Sequence, residues 1–396
     1  MKKTITIMTA TRAEYGQLKT IIKALLADGT FNIKIIATAS HLSPEFGMTC
    51  QEIEQDGIKI DRKIETLLSS DTPSAISKCM GLTMIGLADY FSETKPDAFM
   101  VLGDRYETLA ASCAAFNARI PIIHLYGGDT TEGATDEAYR HSISKMSYIH
   151  FVSTEEYRKR VIQLGEAPER VFAVGEIGIE NALQTKLLSL KDLSDSLGIE
   201  LGSNYALGTF HPVTLENNSA AKQIKALLRA LSKHNDMKFV FTKANADVNG
   251  RIINQILEEY CSRHENYYLF SSLGMLKYLS AVKHAKFVIG NSSSGLIEVP
   301  TFKIPTINIG DRQKGRLMAT SIICCEPTQS DIEKAINKAL SPDFRETASK
   351  TVNPYGDGKT SKKIVKIIKK VFSKPINLKK NFYNIDFKVI ITTAIK

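Results

Sequence analysis

Phe287–Pro300 reads FVIGNSSSGLIEVP: an apolar run, a glycine, three serines, a second glycine, and a helix-like stretch carrying Glu298. Short apolar strands that break at a polar turn and enter a helix build parallel sheets covered on both faces. In open sheets of this kind, ligands sit beyond the carboxyl ends of the strands. The serine turn is therefore placed where a ligand is held.

The same unit recurs in both directions from this stretch. Strands are expected at 4–9, 33–39, 98–102, 121–125, 149–152 and 171–174, with helices at 14–27, 73–93, 105–118 and 154–164 between them. A loop- and serine-containing stretch near 181–203 interrupts the pattern. Strands resume at 205–210, 238–242, 267–270, 286–289 and 304–308, with helices at 219–234, 248–263, 273–283, 292–299 and 330–340. Two such blocks in series predict an α/β protein of two Rossmann-like domains with parallel sheets facing a cleft. The expected division is 1–180, 181–358, a terminal helix 359–374 packing back on the body, and a tail 375–396.

Composition narrows the function classes. A chain of 396 residues, 43% apolar and 23% charged, has the make-up of a soluble globular protein. It holds no apolar run long enough for a membrane span. The start, MKKTITIMTATRAEYG, reads as a strand entering a polar turn rather than a signal peptide, so a cytoplasmic location is expected. The six cysteines show neither CxxC pairing nor metal spacing and are expected to be reduced, mostly buried packing residues. No histidine pair of metal-binding spacing occurs, so no metal is expected. The net charge of +9 is matched by nine lysines within 359–380, a stretch without acids. There Ile364, Ile367, Ile368, Val371 and Phe372 fall on one helical face, so the lysines read as the solvated side of a docked helix. Neither nucleic acid nor a membrane is an expected partner.

The loops after the strands are where chemistry is sought. No G-x-G-x-x-G follows any strand, so no dinucleotide cofactor is expected. GDRQKGR, Gly310–Arg316, copies the glycine spacing of a phosphate loop but lacks its Lys-Ser/Thr ending. Gly-x-Ser-x-Gly is absent as well. What remains is a serine turn that suits a phosphate, with Ser292, Ser293 and Ser294 presenting hydroxyls at a helix start. Glu298 follows as a carboxylate able to accept both hydroxyls of a ribose. His211, Arg12 and Arg312 or Arg316 add donors for a diphosphate. Together these suggest a nucleotide. A second group is acidic: Asp104, Asp129, Asp136 and Glu137, with His141, lie in two loops of the first half. Carboxylates near a cleft act as general acids or bases when their environment shifts their pKa.

GDRYE, GGDTTEGATDEAYRHSISKMS, STEEYRKRVIQLGE and GNSSSGLIEVP…TINIGDRQKGR, in this order, closely resemble the hydrolysing UDP-N-acetylglucosamine 2-epimerases of sialic acid biosynthesis. The resemblance spans about residues 1–372. It implies a GT-B-like fold, a UDP-sugar substrate without a cofactor, UDP and N-acetylmannosamine as products, and a homodimer or homotetramer. It also implies a place in the synthesis of capsule or other surface polysaccharide. By matching motifs it assigns substrate or UDP binding to Arg12, Arg105, His211, Asn245, Ser292, Ser293 and Glu298, and the acidic roles to Asp104 and Asp136, with Glu137 beside it. One departure stands out. Some members carry a glutamate two residues after the histidine of H-x-E-G-G, where this chain reads HLYGGD with Tyr126 there and Asp129 three residues on. Either Tyr126 or Asp129 is the candidate replacement.

Four other readings share parts of this pattern. The same chemistry on UDP-2,4-diacetamido-2,4,6-trideoxyglucose, on the route to legionaminic acid, differs only around carbons 4 and 6 of the sugar. A non-hydrolysing epimerase usually carries a lysine where this chain has Gln17. A GT-B glycosyltransferase would need an acceptor. A catalytically inert UDP-sugar binder would bind without turnover.

Overall fold

The computed structural model describes residues 2–70, 72–131, 135–213, 219–244 and 250–386. Its strands form two sheets. The first holds β1 (Thr4–Thr9), β2 (Asn32–Thr38), β3 (Arg62–Ile64), β4 (Ala98–Leu102), β5 (Ile122–Leu125), β6 (Ile149–Val152) and β7 (Val171–Ala173). The second holds β8 (Tyr205–Thr209), β9 (Lys238–Thr242), β10 (Tyr267–Phe270), β11 (Phe287–Gly290), β12 (Thr306–Ile309) and β13 (Ile322–Cys325). Every pairing is parallel, as between Ile5 and Ile33 or Val288 and Leu207.

The inner strands of both sheets are buried on both faces, which explains their near-continuous apolar runs; Ala98–Leu102 is buried at every position. The strand orders are 3-2-1-4-5-6-7 and 10-9-8-11-12-13. Each order reverses once, between β1 and β4 and between β8 and β11. Helices leaving on opposite faces at these reversals open a crevice at the carboxyl ends of the strands. This is the pair of Rossmann-like blocks expected from the alternating pattern, and the GT-B-like fold that the resemblance implies.

Four differences from the sequence reading have local causes. Strands β3 and β13 are three and four residues long, too short to show a pattern. The stretch after β5, read as a loop, contains the helix Asp136–Met146, whose single buried apolar side chain, Ile143, makes a weak stripe. The stretch near 181–203 contains the helices Ile177–Gln184 and Leu190–Leu197. The helix expected at 292–299 is one turn, Ser294–Ile297, followed by a tighter 3₁₀ turn Val299–Phe302, because Pro300 has no N–H to continue an α-helix.

The C-terminal helix Thr360–Phe372 returns to the first sheet. Ile364, Val365, Ile368 and Phe372 join its core, and the helix packs on Arg12–Asp28. Lys369 reaches Asp28 at 2.8 Å, and Lys362, Lys366 and Lys370 point to solvent. Among the described residues no helix is long and apolar enough to cross a membrane. The cysteines depart from expectation: Cys50 and Cys79 are buried, but Cys113, Cys261 and Cys325 are half-buried and Cys324 is exposed. Their short side chains sit on strand edges and helix flanks as often as in the core.

Candidate active site

The crevice of the first sheet is lined by charge. At the end of β4, Gly103 takes a positive φ, and its carbonyl is held at 2.8 Å by His124 Nε2 from β5. Burial keeps His124 neutral, its pKa falling to about 3, so that nitrogen carries a proton and donates it. The turn so fixed presents Asp104. Opposite it, the helix Asp136–Met146 sends in Arg140, a guanidinium only 1% exposed.

Arg140 organises the acids. It donates to the Asp104 carboxylate, to Glu137 Oε2 at 2.8 Å, to Thr131 Oγ1 at 3.0 Å and to the Asp129 carbonyl at 3.0 Å. A buried arginine demands such a set, because each unmatched donor or charge would cost several kcal/mol (~3–5). Asp104, a quarter exposed, is desolvated, yet Arg140 outweighs that and holds its pKa below the ordinary value. Glu137 is treated alike. Burial would raise it, but His141 at 3.0 Å, the Thr131 amide at 2.6 Å and Arg140 bring it to about 2.

Asp129 differs. Its side chain is 6% exposed; burial raises its pKa, and the negative Asp104 adds to this. Its nearest cation comes from the other half of the molecule: Arg316 Nη2 lies 3.4 Å from Asp129 Oδ2. Two aspartates in one cleft are thus driven apart, one towards the carboxylate and one towards the acid, the arrangement that divides base from acid in many enzymes.

The crevice of the second sheet is built from small and neutral groups. Gly290 ends β11 at φ 139°, and any side chain there would strike the Thr209 carbonyl of β8. That close approach lets Asn291 bind both backbone groups of His211, accepting from its N–H at 2.7 Å and donating to its carbonyl at 2.8 Å. The Asn291 carbonyl in turn receives Arg312 Nη1 at 3.1 Å and Gln313 Nε2 at 2.9 Å. One asparagine thus gathers the His211 loop, the serine turn and the Arg312 loop. Ser292, Ser293 and Ser294 are half-buried beside it, and the Ser294 hydroxyl neighbours the Glu298 carboxyl and the Tyr278 phenol. Because the helix that follows is one turn long, its dipole is small. An anion here would meet hydroxyls, backbone N–H groups and the neighbouring Arg312 guanidinium.

The remaining candidates scatter. Arg12 is half-exposed and 3.9 Å from Glu52, and Arg105 pairs with Glu107 at 3.2 Å. Asp136 occupies the first turn of its helix, half-exposed. Asn245 lies outside the described residues. Tyr126 is buried at φ 69°, and its oxygen accepts the Ile177 N–H at 2.6 Å. Burial first, then Glu176, pushes its phenol far above the ordinary range. It is a fixed neutral group at the start of the helix Ile177–Gln184.

Sequence reasoning missed Arg140, Asn291 and the buried Glu176. Arg140 had a signal: it stands i+3 from Glu137 and i+4 from Asp136 in DEAYRH, the spacing of intrahelical ion pairs. Asn291 and Glu176 had none, because their partners are distant in the chain.

Two parallel sheets, each with a switch-point crevice at the carboxyl ends of its strands, define the class: a two-sheet α/β scaffold of the GT-B-like kind. The chain belongs to the UDP-N-acetylglucosamine 2-epimerase family, whose model matches residues 23–369. It is 44% identical over 385 residues to the GDP/UDP-N,N'-diacetylbacillosamine 2-epimerase (hydrolyzing) of Campylobacter jejuni, covering 97% of this chain and 100% of that protein. It is 39% identical over 386 residues to the polysialic acid biosynthesis protein P7 of Escherichia coli, covering 97% and 98%. The crystal structure of the Neisseria meningitidis UDP-GlcNAc 2-epimerase bound to UDP-GlcNAc superposes with a TM-score of 0.79 at 22% identity, over 93% of this chain and all of that one. That likeness is one of fold.

Proposed function

We propose that the protein is a hydrolysing 2-epimerase of UDP-sugars that converts UDP-N-acetylglucosamine and water to N-acetylmannosamine and UDP in the cytoplasm, for sialic acid synthesis. The observation that carries the reading is the divergent pair Asp104 and Asp129, next to a neutral anion cradle. In the reaction the bond from carbon 1 of the sugar to the UDP oxygen breaks, and UDP leaves with the bonding pair. Asp104, held ionised by Arg140, removes the proton on carbon 2, and the electrons of that bond form the double bond of a glycal. Water then adds its oxygen to carbon 1. Asp129 delivers a proton to carbon 2 from the opposite face, inverting it, and recovers one from the attacking water, while Asp104 releases the proton it took to solvent. Asp136 supports the acidic face from the first turn of its helix, and Glu137 fixes Arg140. His211, Arg12, Arg105, Arg312, Asn245 and the three serines receive the diphosphate and sugar, and Glu298 the ribose. Donors preset for the departing charge lower the barrier to its loss. No step calls for a redox cofactor or metal.

Proton NMR in D₂O tests this. Free UDP with N-acetylmannosamine deuterated at carbon 2 is the expected result. UDP-N-acetylmannosamine that keeps its nucleotide would instead show an isomerase. A second reading has its own support: the Campylobacter relative at 44% identity is named for a diacetamido sugar, the class of the 2,4-diacetamido-trideoxyglucose weighed above. Parallel assays with the two UDP-sugars, compared by kcat/KM, decide between them.

A further inference from the structure

We propose that Arg316 is the switch by which the nucleotide half of the cleft controls the acid in the other half: it pairs with Asp129 in the free protein and turns to the substrate diphosphate when UDP-sugar binds. The proposal rests on the function argued above and adds a residue and an order of events to it.

Three observations carry it. The first is a set of unused donors. Arg316 is 9% exposed, and its Nε and Nη1 are buried without a hydrogen-bond partner among the described residues. A buried guanidinium with idle donors costs free energy that an incoming anion would recover. The second is the length of its ion pair. At 3.4 Å from Asp129 Oδ2 the pair is longer than the 2.7–2.9 Å of a strong charge-assisted bond, so it is easily exchanged for a better anion.

The third is how the residue is held. Leu317, next in the chain, donates its N–H to Tyr157 Oη at 3.2 Å and gives its carbonyl to Tyr355 Oη at 3.0 Å. The two phenols are themselves 3.0 Å apart. Tyr157 belongs to the helix Glu155–Gln163 that follows β6 of the first sheet, so the loop carrying Arg316 is pinned at the junction of the halves. From there the guanidinium stands between Asp129 of the first half and Glu298 beside the serine turn of the second.

The exchange moves a charge. Asp129 also faces Asp104 on its own half, with Arg140 and Arg160 beyond it. Arg316 faces Asp104, Glu176 and Glu298 besides Asp129, and Glu176 faces Asp129 as well. Once Arg316 neutralises part of the diphosphate, Asp129 is left buried beside the ionised Asp104 and takes a proton from solvent. The acid is thereby charged only when a nucleotide is in place, which protects the site from idle proton exchange.

Isothermal titration of the full chain with UDP, in two buffers of different ionisation enthalpy, tests this. The parent protein is expected to bind UDP with net uptake of a fraction of a proton to one proton. Arg316→Gln should weaken UDP at least tenfold and abolish the uptake. Arg316→Lys, which keeps the charge but not the fork, should weaken it three- to tenfold, and it serves if the glutamine variant is poorly folded. Asp129→Asn should abolish the uptake while UDP affinity stays within threefold. UDP binding within twofold of the parent in both arginine variants, or no proton uptake by the parent, would overturn the switch and leave the epimerase reading standing. A parent protein that does not bind UDP at all would overturn both.

Discussion

At the ends of β4 and β5 the first sheet presents Asp104, Asp129, Glu137 and Arg140, whereas at the ends of β8 and β11 the second presents Asn291, three serines and backbone N–H groups. The two crevices have the same topology. In one, burial and neighbouring charges push the pKa values of two aspartates in opposite directions; in the other, mostly neutral dipoles leave room for a charge that arrives with the ligand. Desolvated carboxylates can move protons, while hydroxyls and amides can only bind. The difference teaches that one scaffold separates chemistry from holding by the kind of residue placed after equivalent strands. Variants in the two crevices should therefore fail in different ways.

The largest effect is expected from Asp104→Asn. The amide is isosteric but cannot take the proton from carbon 2, so kcat should fall on the order of 10³-fold. UDP affinity should stay within about threefold, because the holding crevice is untouched. Steady-state kinetics with UDP titration would check both, and a matching loss of UDP affinity would break the division between crevices.

Next in size is a pH effect on stability from Glu14, which lies after β1 in the acidic crevice. It is buried, one oxygen accepts the Ala10 N–H at 2.8 Å, and burial followed by Glu107 raises its pKa to about 7. Between pH 4.5 and 7 the folded protein therefore holds a proton that the unfolded chain releases. Its contribution is fully present below pH 4.5 and is lost as pH rises through 7, a swing of roughly 3 kcal/mol. Urea titrations across that range should show the decline, and Glu14→Gln, whose carbonyl can still accept from Ala10, should flatten it. No serine variant of the other crevice should do so.

The mirror-image test is Ser292→Ala combined with Ser293→Ala. Losing two hydroxyl contacts should weaken UDP by about tenfold, or about 1.4 kcal/mol, with kcat changed little more than twofold. A collapse of kcat at unchanged UDP affinity would mean that the serine turn does more than hold.

These expectations draw unequally on sequence and structure. The alternation of apolar runs and amphipathic stretches made both sheets legible, because a strand buried on both faces has no polar positions to obscure it. Asp104, His211 and Ser292 were legible because each directly follows such a strand. Protonation was not. Asp129 and Glu137 look alike in GGDTTEGATDE, and only burial and partners rank them: burial raises Asp129, while His141, the Thr131 amide and Arg140 outweigh burial at Glu137. Tyr126 stands where an acid is expected, and its contact with the Ile177 N–H, some 50 residues on, has no signal in the sequence. The serine turn seemed to open a full helix because the proline that ends it is read only as punctuation. Contacts that close between remote loops leave no periodic trace.

The smallest effect is expected outside both crevices, and it tests whether the acidic side depends on its surroundings. Lys380, in the tail that follows the C-terminal helix, donates to the carbonyls of Lys145 at 2.9 Å and Ser147 at 2.7 Å, where the Arg140-bearing helix ends. It also pairs with the buried Glu166 at 2.5 Å, which His150 and Lys145 contact too. Burial works against the Glu166 charge, but these three partners lower its pKa to about 2. Its stabilisation is therefore present above the usual pKa near 4.5 and is lost as pH falls towards 2. Lys380→Met removes one partner of three and two cap contacts, so a loss of about 1 kcal/mol at neutral pH and an earlier acid transition are expected in thermal melts. Because Arg140 keeps its own partners at the other end of the helix, kcat should fall no more than twofold. A larger fall at a temperature where the variant is fully folded would show that the acid pair is tuned from the far end of its helix, and the contrast between crevices would then extend through the first sheet.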